Sequence, residues 1–168
     1  MKFVAGAVVA ALVGLTALVT VSHGAAVTPQ PELRTVEACF RTGERAVPVV
    51  LEVASSRQER QKGLMGRDAL ARDTGMLFQY RHAQGPDRGF WMHNTRLPLD
   101  IAYLNAEGRI GSIVPMAPCT ASRGADCPTY PAGVSFISAV EMNQGFFDRH
   151  GIEVGDRLLT GSEHCPDR

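Results

Sequence analysis

Lysine is nearly absent from this chain of 168 residues: Lys2 and Lys62 are the only two, and arginine supplies the rest of the basic charge. There is no run of like charges and no local basic patch. The formal net charge is zero, and it falls to about −1 once Lys2 is set aside with a leader. Nucleic acid is therefore a poor partner, and so is a polybasic membrane-surface site. Catalytic and nucleotide motifs are missing as well. The chain has no G-x-S-x-G, no H-E-x-x-H, no P-loop and no G-x-G-x-x-G. It has no C-x-x-C and no paired histidines, which argues against a resident metal. Nothing implies a cofactor. Internal repeats and low-complexity tracts are lacking too, which excludes solenoids and long disordered arms.

What is present begins with a leader. Lys2 precedes an uncharged, apolar stretch from Phe3 to Val21, followed by the small residues Ser22, Gly24, Ala25 and Ala26. This is the pattern of a secretory signal over residues 1–26, cut after Gly24 or Ala26. The alternative is an uncleaved anchor, the one way this sequence would meet a membrane, because a run of about 19 residues is just long enough to span a bilayer. Residues 27–34 read as a linker and 35–168 as a single domain, a size that supports one core. An exported chain is periplasmic or secreted.

The four cysteines agree with export, since an even number in an oxidising compartment reads as disulfides. Cys119 and Cys127 flank the polar loop TASRGAD and are paired with each other. That leaves Cys39, near the mature start, for Cys165, near the end.

Short apolar segments punctuated by glycine and proline predict an α+β domain, mostly β, built as a compact barrel or two packed sheets. VEACF and VPVVLEVA are the first strands. Ser56 and Glu59 form a capping box for a helix over 56–62, with Gly63 as a left-handed stop. GMLFQY is a strand, and RHAQGPDRG (81–89) is a polar loop, the most mobile segment expected. PLDIAYL and RIGSIVPM form a hairpin around NAEG. GVSFISAVEM is a strand. NQGFFDRHGI is a short helix with Asn143 as N-cap and Gly151 as stop. VGDRLLT is the last strand.

Six polar or aromatic residues are candidates for a site. Asp100 sits in LDIAYL, whose two faces are both apolar, so its carboxylate needs partners. These are expected from the Asn94–Thr95 turn or from Arg67. Arg67, after the flexible Gly66, is expected to tether Asp100 or Glu141, or to anchor an anionic ligand. Trp91, the only tryptophan, is either a part-buried core residue or a stacking platform for a sugar. Alternation places it with His93, opposite Phe90 and Met92. Asn94 and Thr95 are turn formers whose amide and hydroxyl could also meet a ligand. Glu141 is a second acid in an apolar strand.

The series GLMGR (63–67), GMLF (75–78), FWMHNT (90–95), PLDIAYL (98–104), PCTASRGADCPTY (118–130) and GIEVGD (151–156) resembles the family known as domain of unknown function 192, an exported bacterial and archaeal group. The likeness runs over residues 48–160. It departs at His93, where the family pattern carries a basic residue. The resemblance implies a compact β-rich domain and brings no accepted activity.

The residues themselves favour a module that binds a small polar ligand or a glycan of the cell envelope, in a groove lined by Arg67, Trp91, Asn94, Thr95, Asp100 and Glu141. The rival is a hydrolase using Asp100 and Glu141 as paired carboxylates on a glycan. Two further alternatives are a structural envelope protein and a copper binder using Met65, Met76, Met92, Met116 and Met142.

Overall fold

The computed structural model describes residues 27–161 and Cys165, so the leader expected over residues 1–26 lies outside the described part. In chain order the elements are the strands Thr35–Thr42 (β1) and Arg45–Ala54 (β2), the helix Arg57–Lys62 (α1), and the strands Thr74–Gln84 (β3), Gly89–Trp91 (β4), Leu99–Leu104 (β5), Ile110–Met116 (β6), Thr129–Pro131 (β7) and Phe136–Asn143 (β8). The helix Phe146–His150 (α2) and the strand Arg157–Thr160 (β9) complete it. The fold is α+β and mostly β, as expected. No helix of the described residues is long and apolar enough to cross a membrane.

Seven strands form one sheet in the order β6-β5-β8-β3-β2-β1-β9, and β4 and β7 form a separate two-stranded ribbon. All pairings are antiparallel except β2 with β3, which is parallel. A parallel pair needs a crossover, and α1 with the segment after it supplies one. Of the two expected forms, a barrel or two packed sheets, two sheets are found, and the larger one is not closed. Its edges meet at one isolated bridge, Arg109 opposite Arg157, flanked by hydrogen bonds from Ile110 N to Asp156 O (2.8 Å) and from Leu158 N to Gly108 O (2.9 Å).

The doubly apolar reading of LDIAYL has a direct physical meaning. All six residues of β5 are buried, because the sheet carries a core on each face. Ala102 and Leu104 join Phe40, Leu51, Val140, Phe146 and Phe147 in the first core. Leu99, Ile101 and Tyr103 join Met76, Phe78, Met92, Met116 and Phe136 in the second. The β4–β7 ribbon packs on that second face: Phe90 lies edge-on to Phe78 with ring centroids 4.7 Å apart, and Tyr103 Oη donates to Tyr130 O at 2.7 Å.

The structure also divides the methionines. Met142 lies in the first core and Met76, Met92 and Met116 in the second, all essentially sealed from solvent. The sheet thus separates Met142 from the other three, and each fills a gap in its own core.

The capping box is present: Glu59 N donates to Ser56 Oγ at 3.1 Å, and the Glu59 carboxylate accepts from Ser56 N at 2.7 Å. Gly63 does end α1 with positive φ, but at ψ −136°, outside the left-handed helical region. Ser56→Ala is expected to cost about 1 kcal/mol in urea unfolding, the usual value of an N-cap hydroxyl.

Two other expectations are corrected. β3 runs on to Gln84, so the polar segment 81–89 is strand in its first half; Gln84 pairs with Phe136 after an irregularity in the register. Asn143 does not cap α2. It ends β8, and its side-chain amide donates to Leu70 O and Ala71 O, while Gly145 takes the cap position in a left-handed conformation.

Candidate functional site

Both expected disulfides are formed, Cys119–Cys127 and Cys39–Cys165. The short one shapes the site. FWMHNT is not one continuous strand with LDIAYL: β4 stops at Trp91, and the chain turns through Met92 to Thr95, where Thr95 N donates to Met92 O at 2.9 Å. Asn94 takes a left-handed φ of 59°, the only non-glycine among the described residues to do so. Asparagine tolerates that region because its amide can bond locally; here Nδ2 lies 3.2 Å from His93 Nδ1. The turn is held from both sides, since Asn94 O accepts from Gly66 N (2.9 Å) and Thr95 O accepts from Cys119 N (3.1 Å).

The disulfide loop then folds over Trp91. A Cβ placed on Gly124 would lie 2.6 Å from the indole ring, so only glycine allows this close approach. His93 flanks the indole at 5.2 Å between ring centroids. Even so packed, Trp91 is 46% exposed.

Beneath Trp91 lies a small cavity of about 30 Å³, lined by Lys62, Met65, Phe90, Trp91, Thr95 and Glu141 among others. Glu141 pairs across β8 with Met76 and Ile101, which places its side chain in the second core. The residue is 5% exposed. Among the described residues no hydrogen bond or ion pair engages its carboxyl. No sealed side-chain oxygen lacks a partner among these residues, so the carboxyl keeps some accessible surface, and Glu141 lines the cavity. Burial alone pushes the carboxyl from an ordinary 4.5 up to about 8.

Three of the six candidates thus converge on one cavity: Trp91, Thr95 and Glu141. Asn94 shapes the turn beside them. Arg67 and Asp100 stand apart, and both expected partnerships are corrected. The Arg67 guanidinium forms a two-pronged pair with Glu52, at 2.5 and 2.8 Å, and Glu52 also accepts from Leu33 N. Glu52 sits on β2 and Arg67 within the crossover from β2 to β3, a proximity that parallel pairing creates and the sequence did not disclose. Asp100 Oδ2 accepts from Gly145 N at 2.7 Å and so holds the turn into α2. Burial raises its pKa above the ordinary carboxylate range; the Gly145 amide opposes this, Asp148 adds to it and Arg149 opposes it.

The hydrolase pairing fails on this geometry. Asp100 aligns with Met142 and faces the first core, whereas Glu141 aligns with Ile101 and faces the second. A sheet lies between the two carboxyls, so they cannot flank one glycosidic bond.

A wide open groove of about 790 Å³ lies elsewhere, between Ser55, Tyr80, Arg81, Asn105, Ser138 and Leu158. Its asparagine is already engaged, with Asn105 Oδ1 accepting from Glu107 N and Arg109 N in the hairpin turn. No sequence signal pointed to it, because it is assembled from the ends of five separate segments.

Residues 38–160 match the family model of domain of unknown function 192, described as "Uncharacterized ACR". The chain belongs to that family. Two solved structures resemble it. One is a protein of Sinorhizobium meliloti 1021 provisionally assigned as a transcription regulator, 27% identical, with a TM-score of 0.70 over 78% of this chain and 97% of that one. The other is a protein of unknown function from Novosphingobium aromaticivorans DSM 12444, 28% identical, with a TM-score of 0.68 over 87% of this chain and 99% of that one. Comparison with curated proteins gives no match. In this member of family 192, GMLF and PLDIAYL build the sheet, FWMHNT and residues 60–65 line the cavity, and the disulfide loop packs on Trp91.

Proposed function

We propose that this protein is a small-ligand binding module of the cell envelope, periplasmic or secreted, that takes one polar group of its ligand into the cavity above Glu141. A single observation carries the reading. A buried carboxyl with no partner opens on a cavity whose rim is a half-exposed tryptophan. A carboxyl held in a core without a protein partner gains from a hydrogen-bonding occupant of the cavity beside it.

The volume sets the chemistry. About 30 Å³ admits a group the size of a water molecule and no ring. A carboxyl that holds its proton at neutral pH can both donate and accept, which suits a neutral hydroxyl. The remainder of the ligand would lie outside, against the exposed part of Trp91. A polyol or sugar meets both requirements, with one hydroxyl inserted and an apolar ring face stacked on the indole. The helices described here have six and five residues, short for a helix that reads a major groove, which disfavours the transcription role provisionally assigned to the Sinorhizobium protein.

The test is a titration of the oxidised exported chain with a panel of sugars and polyols, read by the fluorescence of Trp91. A saturable change that Glu141→Leu removes at unaltered fold supports the module. A silent panel with Trp91 freely quenched assigns the cavity to structural water and leaves an envelope protein without a small ligand.

A further inference from the structure

Three arginines that are far apart in sequence meet at the seam where the sheet edges approach. Arg41 on β1 is the direct partner of Arg157 on β9, and Arg157 is in turn the bridge partner of Arg109. Residues directly opposite on antiparallel strands project to the same side. Their neighbours Phe40, Leu158 and Ile110 all point into the first core, so the three arginines point outward together. They line one concavity of about 420 Å³ with Gly43, Gly155 and Asp156.

Like charges opposed across strands repel, and proteins ordinarily interleave an acid to relieve it. None is interleaved here. The ion pairs among the described residues are Arg67–Glu52, Arg96–Asp68 and Arg123–Asp126, and none involves this row. Asp156, the acid that lines the concavity, turns its Oδ2 to Glu153 N at 2.8 Å. Arg109 spends one nitrogen on Gly155 O at 2.7 Å, while the guanidinium groups of Arg41 and Arg157 engage no described group. Arg157, in the middle of the row, is half-buried.

We propose that this row is a binding site for an oxyanion with two or more negative charges, of the phosphate type. Guanidinium forks match phosphate oxygens two at a time, and three forks on one face supply the charge that a dianion needs. The site is distinct from the Glu141 cavity and does not depend on how that cavity is used. It also explains why composition concealed it: the net charge is near zero, and the positive face exists only once β1, β9 and the hairpin turn have assembled.

Inorganic pyrophosphate is the probe, titrated at constant ionic strength with thermal unfolding and calorimetry as readouts. A saturable rise in Tm is expected, with affinity at least tenfold weaker in Arg157→Gln and unchanged in Arg123→Gln. Without the anion, Arg157→Gln is expected to melt no lower than the parent, because it relieves repulsion and removes no contact. Sedimentation with phosphatidylglycerol vesicles, against phosphatidylcholine controls, separates a lipid headgroup from a free phosphate as the natural source, and Arg157-dependent binding to either supports the site. No saturable response to pyrophosphate or to anionic vesicles overturns it. So does equal binding by Arg157→Gln, or a clear loss of its stability in the absence of anion.

Discussion

Glu141→Gln is expected to leave stability near that of the parent at pH 5 and to exceed it clearly at pH 9. In the folded chain the Glu141 carboxyl titrates at about 8, against an ordinary 4.5. The folded state therefore holds this proton more tightly than the unfolded state does. Its contribution to stability is fully present below pH 4.5 and is lost as the pH rises through 8. The displacement is worth about 5 kcal/mol between the two protonation states, a large part of the total stability of a domain this size. Glutamine keeps the shape and cannot ionise, so its stability should be nearly flat over the same interval. Urea unfolding midpoints at pH 5, 7 and 9 measure the difference. Asp100 contributes a smaller slope of the same sign, because burial raises it while the Gly145 amide restrains it. Parallel pH profiles for the parent and Glu141→Gln would mean that the carboxyl is solvated, and the binding proposal would lose its main support.

Much of this fold was legible in the sequence, for local reasons. The capping box at Ser56 and Glu59, the Asn105 hairpin and the left-handed Gly151 stop are decided by neighbours in the chain, so their residues announce them. The buried status of Asp100 and Glu141 followed from their apolar neighbours on both sides. Partner choice did not follow. Arg67 went to Glu52 because β2 and β3 run parallel, and nothing local specifies a crossover. Asp100 went to Gly145 because β5 lies beside β8, whose end delivers the α2 turn. The same topology set Asp100 and Glu141 on opposite faces, which no count of residues along either strand could reveal. The arginine row is the extreme case, since its members come from three segments brought together only at the sheet seam.

The two disulfides are expected to separate stability from site integrity. Cys39–Cys165 closes a loop with a sequence separation of 126, and Cys119–Cys127 one with a separation of 8. In the chain-entropy view the first removes far more freedom from the unfolded state, about 5 kcal/mol against about 2–3 kcal/mol for the second. Cys39 lies in β1 opposite Leu159 of β9, the edge strand, so the long bridge fastens the last strand to the sheet. Replacing Cys39 and Cys165 with serine should therefore bring the larger drop in urea midpoint, while leaving Trp91 emission close to that of the parent in the molecules that remain folded. Replacing Cys119 and Cys127 should do the reverse. Stability should fall by about half as much, but Gly124 would leave the indole, the bond from Cys119 N to Thr95 O would loosen, and Trp91 emission should shift toward that of solvent-exposed tryptophan. Any ligand response carried by Trp91 should weaken in that second variant alone. If instead both pairs affected emission equally, the disulfide loop would not be what holds Trp91 in place, and its position would have to be ascribed to the β4–β7 ribbon by itself.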